Sequence, residues 1–136
     1  MRNEWFYEQE PPSRFVIQEH LRQALWRMGL GMAWVEVEQE KPPYRAVIYW
    51  YDRRWTLEWE PARYARLTLP EELPDVVRVM ELMLGFKPLA RYRQEGRLVW
   101  EWWRRRAERE ARWQELTQQG ELEELERLYP ALAAAG

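Results

Sequence analysis

The chain has 136 residues, enough for one core and too few for two ordinary domains. With 46% apolar residues, 32% charged residues and a net charge of −2, it can bury a core under a charged surface, which excludes both intrinsic disorder and a uniformly basic nucleic-acid binder. The absence of cysteine excludes disulfides, thiolate nucleophiles, Cys-ligated zinc and iron–sulfur clusters.

Ten tryptophans raise the aromatic share to 15%, and each indole brings a large apolar body and one N–H that wants a partner. Polar side chains suited to catalysis are scarce: one His (His20), one Ser (Ser13), one Asn (Asn3) and two Asp (Asp52, Asp75). Arginine outnumbers lysine 19 to two, a skew that fits a GC-rich thermophile or, on a functional reading, a choice of the planar guanidinium for stacking and phosphate contacts. The start Met1-Arg2-Asn3-Glu4-Trp5 lacks the order of a signal peptide, and no stretch reaches the roughly 20 apolar residues of a membrane span. The expectation is a soluble cytoplasmic protein that makes no membrane contact.

Residues 1–12 read as an N-terminal arm ending in Pro11-Pro12, and Ser13 is placed to cap a helix with Ile17, Leu21, Ala24, Leu25 and Met28 on one stripe, ended by Gly29 and Gly31. Three strands follow. Residues 33–40 alternate Val35 and Val37 with Glu36, Glu38 and Glu40; residues 44–52 are apolar on both faces; and Trp55, Leu57 and Trp59 alternate with Thr56, Glu58 and Glu60. The expectation is a three-stranded antiparallel meander with residues 44–52 in the middle, turning at Lys41-Pro42-Pro43 and at Arg53-Arg54. A loop punctuated by Pro61, Pro70 and Pro74 leads to a short helix over residues 75–84, with Val76, Val79, Met80 and Met83 inward and Gly85 at its C′ position. Residues 89–94 and 97–103, joined at Glu95-Gly96, read as a second hairpin; the alternative is a helix opening at Arg97. Residues 104–119 read as a helix with Glu108 and Arg112 at i,i+4, broken by Gly120, and residues 121–129 as another with a narrow stripe of Leu122, Leu125 and Leu128. The whole is a single α+β domain over 1–136: arm 1–12, α+β core 13–103 and helical C-terminal segment 104–136.

The residues Glu81-Leu82-Met83-Leu84-Gly85-Phe86-Lys87-Pro88-Leu89-Ala90-Arg91-Tyr92-Arg93, continuing to Arg97-Leu98-Val99-Trp100, resemble the helix, Leu-Gly-Phe turn and hairpin of the CYTH, or triphosphate-tunnel, enzymes. That resemblance implies a metal-dependent phosphohydrolase. The chain departs from the family at Glu36-Val37-Glu38-Gln39-Glu40-Lys41, which misses the Glu-x-Glu-x-Lys spacing and follows a helix, and it lacks an acidic strand after Trp103.

Three groups of residues bear on function. Glu36, Glu38, Glu40, Glu58 and Glu60 share sheet faces and could offer oxygens to a hard cation, although glutamates paired with arginines such as Arg45 give the same pattern. His20 lacks a nucleophile nearby, since Ser13 reads as a cap. Arg91, Arg93, Arg97, Trp100, Trp102, Trp103, Arg104, Arg105 and Arg106 interleave bases and indoles, as a single-stranded nucleic-acid site does, unless the tryptophans pack under the C-terminal helix and the arginines pair with Glu101, Glu108 and Glu110. We assign no catalytic residue, cofactor or metal site. The leading expectation is a small non-enzymatic accessory or regulatory protein that binds a larger protein assembly or another copy of itself, such as a nucleic-acid-processing machine or a phage or mobile-element complex. Its contacts would come from the arginine–tryptophan group and from Leu122, Leu125 and Leu128. The alternatives are a single-stranded nucleic-acid binder and, third, a CYTH-like phosphohydrolase.

Overall fold

Three helices and six strands run in the order α1 (Arg14–Arg27), β1 (Trp34–Gln39), β2 (Tyr44–Trp50), β3 (Arg53–Glu60), β4 (Tyr64–Leu69), α2 (Pro74–Leu84), β5 (Ala90–Gln94), β6 (Arg97–Trp103) and α3 (Arg106–Gln119). This computed structural model describes residues 14–39, 41–60 and 62–119. The strands form one antiparallel sheet in the order β1-β2-β3-β4-β6-β5, open at β1 and β5.

The expected three-stranded meander and separate hairpin are therefore corrected to a single six-stranded sheet. The strand that joins them is β4, in a stretch the prolines marked as loop. Tyr64-Ala65-Arg66-Leu67-Thr68-Leu69 alternates strictly, burying Ala65, Leu67 and Leu69. Pro70 lies just outside it, where a missing N–H costs no ladder bond, so it bounds the strand instead of breaking it, and Pro61 lies outside the described residues. Strand β2 does lie between β1 and β3, as expected, and is second from the edge of the full sheet; Ala46 and Ile48 on one face and Val47 on the other are all buried as its apolar composition requires. The β2–β3 turn falls at Tyr51-Asp52, and Arg53 and Arg54 belong to β3, paired with Trp50 and Tyr49. At residues 97–103 the hairpin forms, not the helix, with Glu95 (φ 52°) and Gly96 (φ 77°) both left-handed as a two-residue type I′ loop demands.

The two faces of the sheet differ. On the inner face, α1 and α2 cover Val35, Ile48, Leu57, Leu67, Leu98 and their neighbours in one large core. Helix α2 supplies Val76, Val79, Met80 and Met83 and stops at Gly85 (φ 87°), whose N–H reaches Glu81 O at 2.8 Å. On the outer face, among the described residues, the β5–β6 side is roofed by α3, which lays Leu116 and Trp113 over Leu89, Ala90, Tyr92, Val99 and Trp103. At the β1 edge, Gln18 of α1 accepts the Val37 N–H at 3.0 Å, which occupies a backbone donor that β2 does not use.

The arm 1–12, Ser13, Glu40, Gly120 and the stripe Leu122, Leu125 and Leu128 lie outside the described residues.

Candidate functional site

Strand alternation divides the arginine–tryptophan group. Trp100 and Trp102 point to the inner face and Trp103 to the outer, where α3 covers it. Trp102 and Trp103 are buried, and Trp100 is half-buried with the Arg91 guanidinium 5.7 Å from its ring centroid. Arg93 and Arg97 are exposed at the hairpin end of β6, whereas Arg104, Arg105 and Arg106 are exposed past its other end, about 23 Å away at strand rise. Arg105 faces Glu108 at 3.7 Å and Arg106 faces Glu110 at 3.3 Å. The structure thus brings together Arg91 and Trp100, and separately Trp103 and Glu101, but not the group as one surface.

Glu101 is the charged centre beneath α3. It is 0% exposed, and its carboxylate accepts bonds from Arg112 Nε (2.7 Å) and a second Arg112 nitrogen (2.7 Å), Tyr92 OH (2.5 Å), Trp103 Nε1 (2.8 Å) and Arg66 Nε (3.2 Å). Burial, the largest influence, favours the neutral acid; the Arg112 bonds, the Arg66 charge and the Tyr92 and Trp103 donors together outweigh it and hold the carboxyl at about 2. Burial and the neighbouring Glu101 charge push the Tyr92 hydroxyl well above its ordinary value, so it stays a donor. Arg112 was expected to meet Glu108 at i,i+4. It turns instead to Glu101 and, at 3.2 Å, Glu115, while Glu108 takes Arg63 at 2.5 Å.

The pairing continues across the outer face. Arg66 reaches Glu58 at 2.9 Å, Tyr64 OH donates to Glu58 at 2.8 Å, and Arg45, opposite Glu58 in register, reaches Glu38 at 3.3 Å. Glu60 is held by Arg63 at 3.0 Å. The glutamates of the outer face therefore alternate with arginines in a row that ends under α3. Among the described residues, no three His, Cys, Asp or Glu side chains are grouped so as to hold a metal ion.

A different surface emerges at the opposite corner of the sheet. Of the five exposed large apolar side chains among the described residues, four gather where α1 ends and the β2–β3 turn begins: Trp26 (69% exposed), Met32 (83%), Trp34 (56%) and Tyr51 (73%). Gly31 lies against Trp26 and Trp50. A Cβ there would stand 3.1 Å from Trp26 Cδ1, and the Gly31 carbonyl accepts Trp50 Nε1 at 3.2 Å. The Trp50 ring in turn meets Tyr51 at 5.2 Å between centroids. Trp34 stands across from Tyr49 on the outer face, its N–H 3.4 Å from Glu36. Met32 (φ 72°) and Tyr51 (φ 57°) both adopt the left-handed backbone that disfavours a side chain. Arg22 and Arg27 flank Trp26 in a shallow depression, and Arg54 stacks on Tyr49 at 5.8 Å.

Sequence reasoning placed Trp26, Trp34 and Trp50 in the helix and meander, where packing accounted for them, and so passed over this corner. The signal available was the pair Met32 and Trp34 on a strand side whose alternate residues are glutamates, which marks them as outward.

No family model, no curated protein and no solved structure matches the chain. No helix among the described residues is long and apolar enough to cross a membrane.

Proposed function

We propose that the protein is a non-enzymatic accessory module that docks on a larger protein assembly, and that the corner formed by Trp26, Met32, Trp34 and Tyr51 is its contact surface. The observation that carries this reading is the exposure of four large apolar side chains around the end of α1, the start of β1 and the β2–β3 turn, two of them on left-handed backbone. Tryptophan and tyrosine are the side chains that dominate binding at protein interfaces, and the exposed Met32 adds an adaptable thioether. Met32 and Tyr51 keep exposed side chains on left-handed backbone, and strained backbone of this kind clusters at binding positions. The arginines flanking Trp26 and Tyr49 supply the polar rim such surfaces have.

The test compares capture of host-cell proteins by the wild type, by a Trp26→Ala/Trp34→Ala variant and by an Arg104→Ala/Arg105→Ala/Arg106→Ala variant. Loss of the same captured protein with the first variant and its retention with the second is the expected result. Oligonucleotide titration at two salt concentrations is the companion measurement: salt-sensitive micromolar binding, abolished in the triple-arginine variant, would replace this reading with the nucleic-acid one.

A further inference from the structure

The outer face of the sheet is finished in two ways. Helix α3 roofs β5 and β6, whereas β1 to β4 keep an open face on which Glu36, Glu38, Arg45 and Arg54 are exposed and Thr56 and Thr68 half-buried. Register sets the order of that face. One row across the four strands reads Glu38, Arg45, Glu58, Arg66: Arg45 lies opposite Glu58, Glu58 opposite Arg66, and Glu38 at the β1 bulge beside Arg45. The next row reads Glu36, Val47, Thr56, Thr68, and beyond it Tyr49 lies opposite Arg54. Among the described residues Arg45 has Glu38 as its one ion-pair partner, at 3.3 Å, with both side chains nearly half exposed, while Glu58 is taken by Arg66 and Tyr64.

This order is complementary to itself. A two-fold axis parallel to the strands and between β2 and β3 sets β2 over β3 of a second copy and β1 over its β4. Arg45 then meets the second copy's Glu58, Glu38 meets its Arg66, Tyr49 meets its Arg54 and Val47 meets its Thr56, each contact occurring twice. Centred on β2 or on β3 instead, the same row sets arginine on arginine or glutamate on glutamate, so the charges select the axis. The short side chains of Val47, Thr56 and Thr68 let two sheets approach to about 10 Å, the spacing of packed sheets. A helix lying on a sheet stands about as high, so each α3 comes to lie along the open β1 edge of the other copy. The open face is four strands wide and about six residues long, roughly 19 Å by 20 Å at ordinary strand spacing and rise. That is smaller than a permanent dimer needs, so the association is weak and reversible, of order 10–100 μM.

We propose that the outer face of β1 to β4 is an interface with a second copy of this chain, closed about a two-fold axis between β2 and β3, with Arg45 and Glu38 of each copy on Glu58 and Arg66 of the other. Trp26, Met32 and Tyr51 stay outside it, so the inference does not depend on the docking role of that corner.

Sedimentation velocity of the full chain, from about 1 μM to about 1 mM, reads the oligomeric state across the expected range. The wild type passes from monomer to dimer with concentration, and raising salt from about 0.05 M to about 0.5 M weakens the dimer several-fold. Arg45→Glu and Glu58→Arg, each alone, set like charges at both central contacts and stay monomeric. An equimolar mixture of the two restores the dimer, because every central contact is then opposite in sign. Thr56→Lys, a surface change outside the ion pairs that holds the two sheets apart, also stays monomeric and serves where a charge variant fails to fold. A wild type that is monomeric at millimolar concentration leaves the face to the rest of the chain or to a different protein and overturns the proposal. So do single variants or Thr56→Lys that dimerise as the wild type does, and a mixture of folded charge variants that stays monomeric.

Discussion

Two corners of one sheet treat tryptophan in opposite ways. At the end of β6, Trp102 and Trp103 are surrounded in sequence by arginines and glutamate, yet both are buried. At the start of β1, Trp34 lies between Ala33 and Val35, and at the end of α1 Trp26 follows Leu25, yet both indoles stand in water. The difference lies in what crosses the strand. Helix α3 returns over β6 and brings Arg112 to Glu101, so the charges around Trp103 close on one another and the indole N–H joins them. No described element returns over the outer face of β1. Local composition therefore says little about indole exposure; the covering element decides it.

The sharpest way to break the buried corner is Glu101→Ala. It removes the buried carboxylate that Arg112, Arg66, Tyr92 and Trp103 share and leaves the two arginines with only Glu115 and Glu58, and removing one partner of a buried ionic cluster costs about 3–5 kcal/mol. Urea denaturation measures it, with Glu38→Ala on the exposed part of the same face as the control, expected within about 0.5 kcal/mol of wild type. A loss of less than about 1 kcal/mol for Glu101→Ala would mean that α3 does not depend on this cluster.

Acid acts on the same carboxylate with a smaller effect. The folded value of about 2 lies below the ordinary 4.5, so the unfolded chain binds the proton first. The contribution, about 3 kcal/mol, is complete above pH 4.5 and disappears as pH falls through 2. Stability of the wild type against pH should show this slope, and in Glu101→Gln the slope between these limits should flatten.

How much of this was legible depends on the range of the contacts. Helix α2 and its Gly85 stop were readable because Val76, Val79, Met80 and Met83 repeat at helical spacing and the cap is adjacent in sequence. The β5–β6 hairpin was readable from Glu95-Gly96 and its flanking alternation. Strand β4 was obscured by the prolines that punctuate this stretch of sequence, although the alternation of Ala65, Leu67 and Leu69 was present. The Glu101 cluster was half legible: its arginine–glutamate pairing could be anticipated, but Arg66 lies 35 residues away and Arg112 lies on another element, so the choice of partners waits on the fold. The exposed corner needed still more, since Gly31, Trp26 and Trp50 meet through a loop conformation that no periodicity encodes.

The exposed corner is broken by changes that leave the fold intact. Trp26→Ala and Trp34→Ala should each alter stability by no more than about 0.5 kcal/mol, because both side chains are already mostly in water. On the proposed reading each weakens partner binding by about 2 kcal/mol or more, roughly thirtyfold, as truncation of an interface anchor does. A stability loss near that seen for Glu101→Ala would show that these indoles serve the core and would erase the contrast between the corners.

Met32 gives the smallest effect and the finest discrimination. A methionine in a core costs about 2–5 kcal/mol to truncate, but Met32 is 83% exposed and sits at φ 72°, where its Cβ is itself a source of strain. Glycine relieves the left-handed backbone by about 1 kcal/mol and returns part of that as added freedom of the unfolded chain. Met32→Gly should therefore leave the urea midpoint unchanged or raise stability by up to about 1 kcal/mol, while removing an exposed thioether from the proposed contact surface. If stability holds or rises as partner binding falls, the strain at this position serves recognition, since selection for stability alone would have placed glycine there.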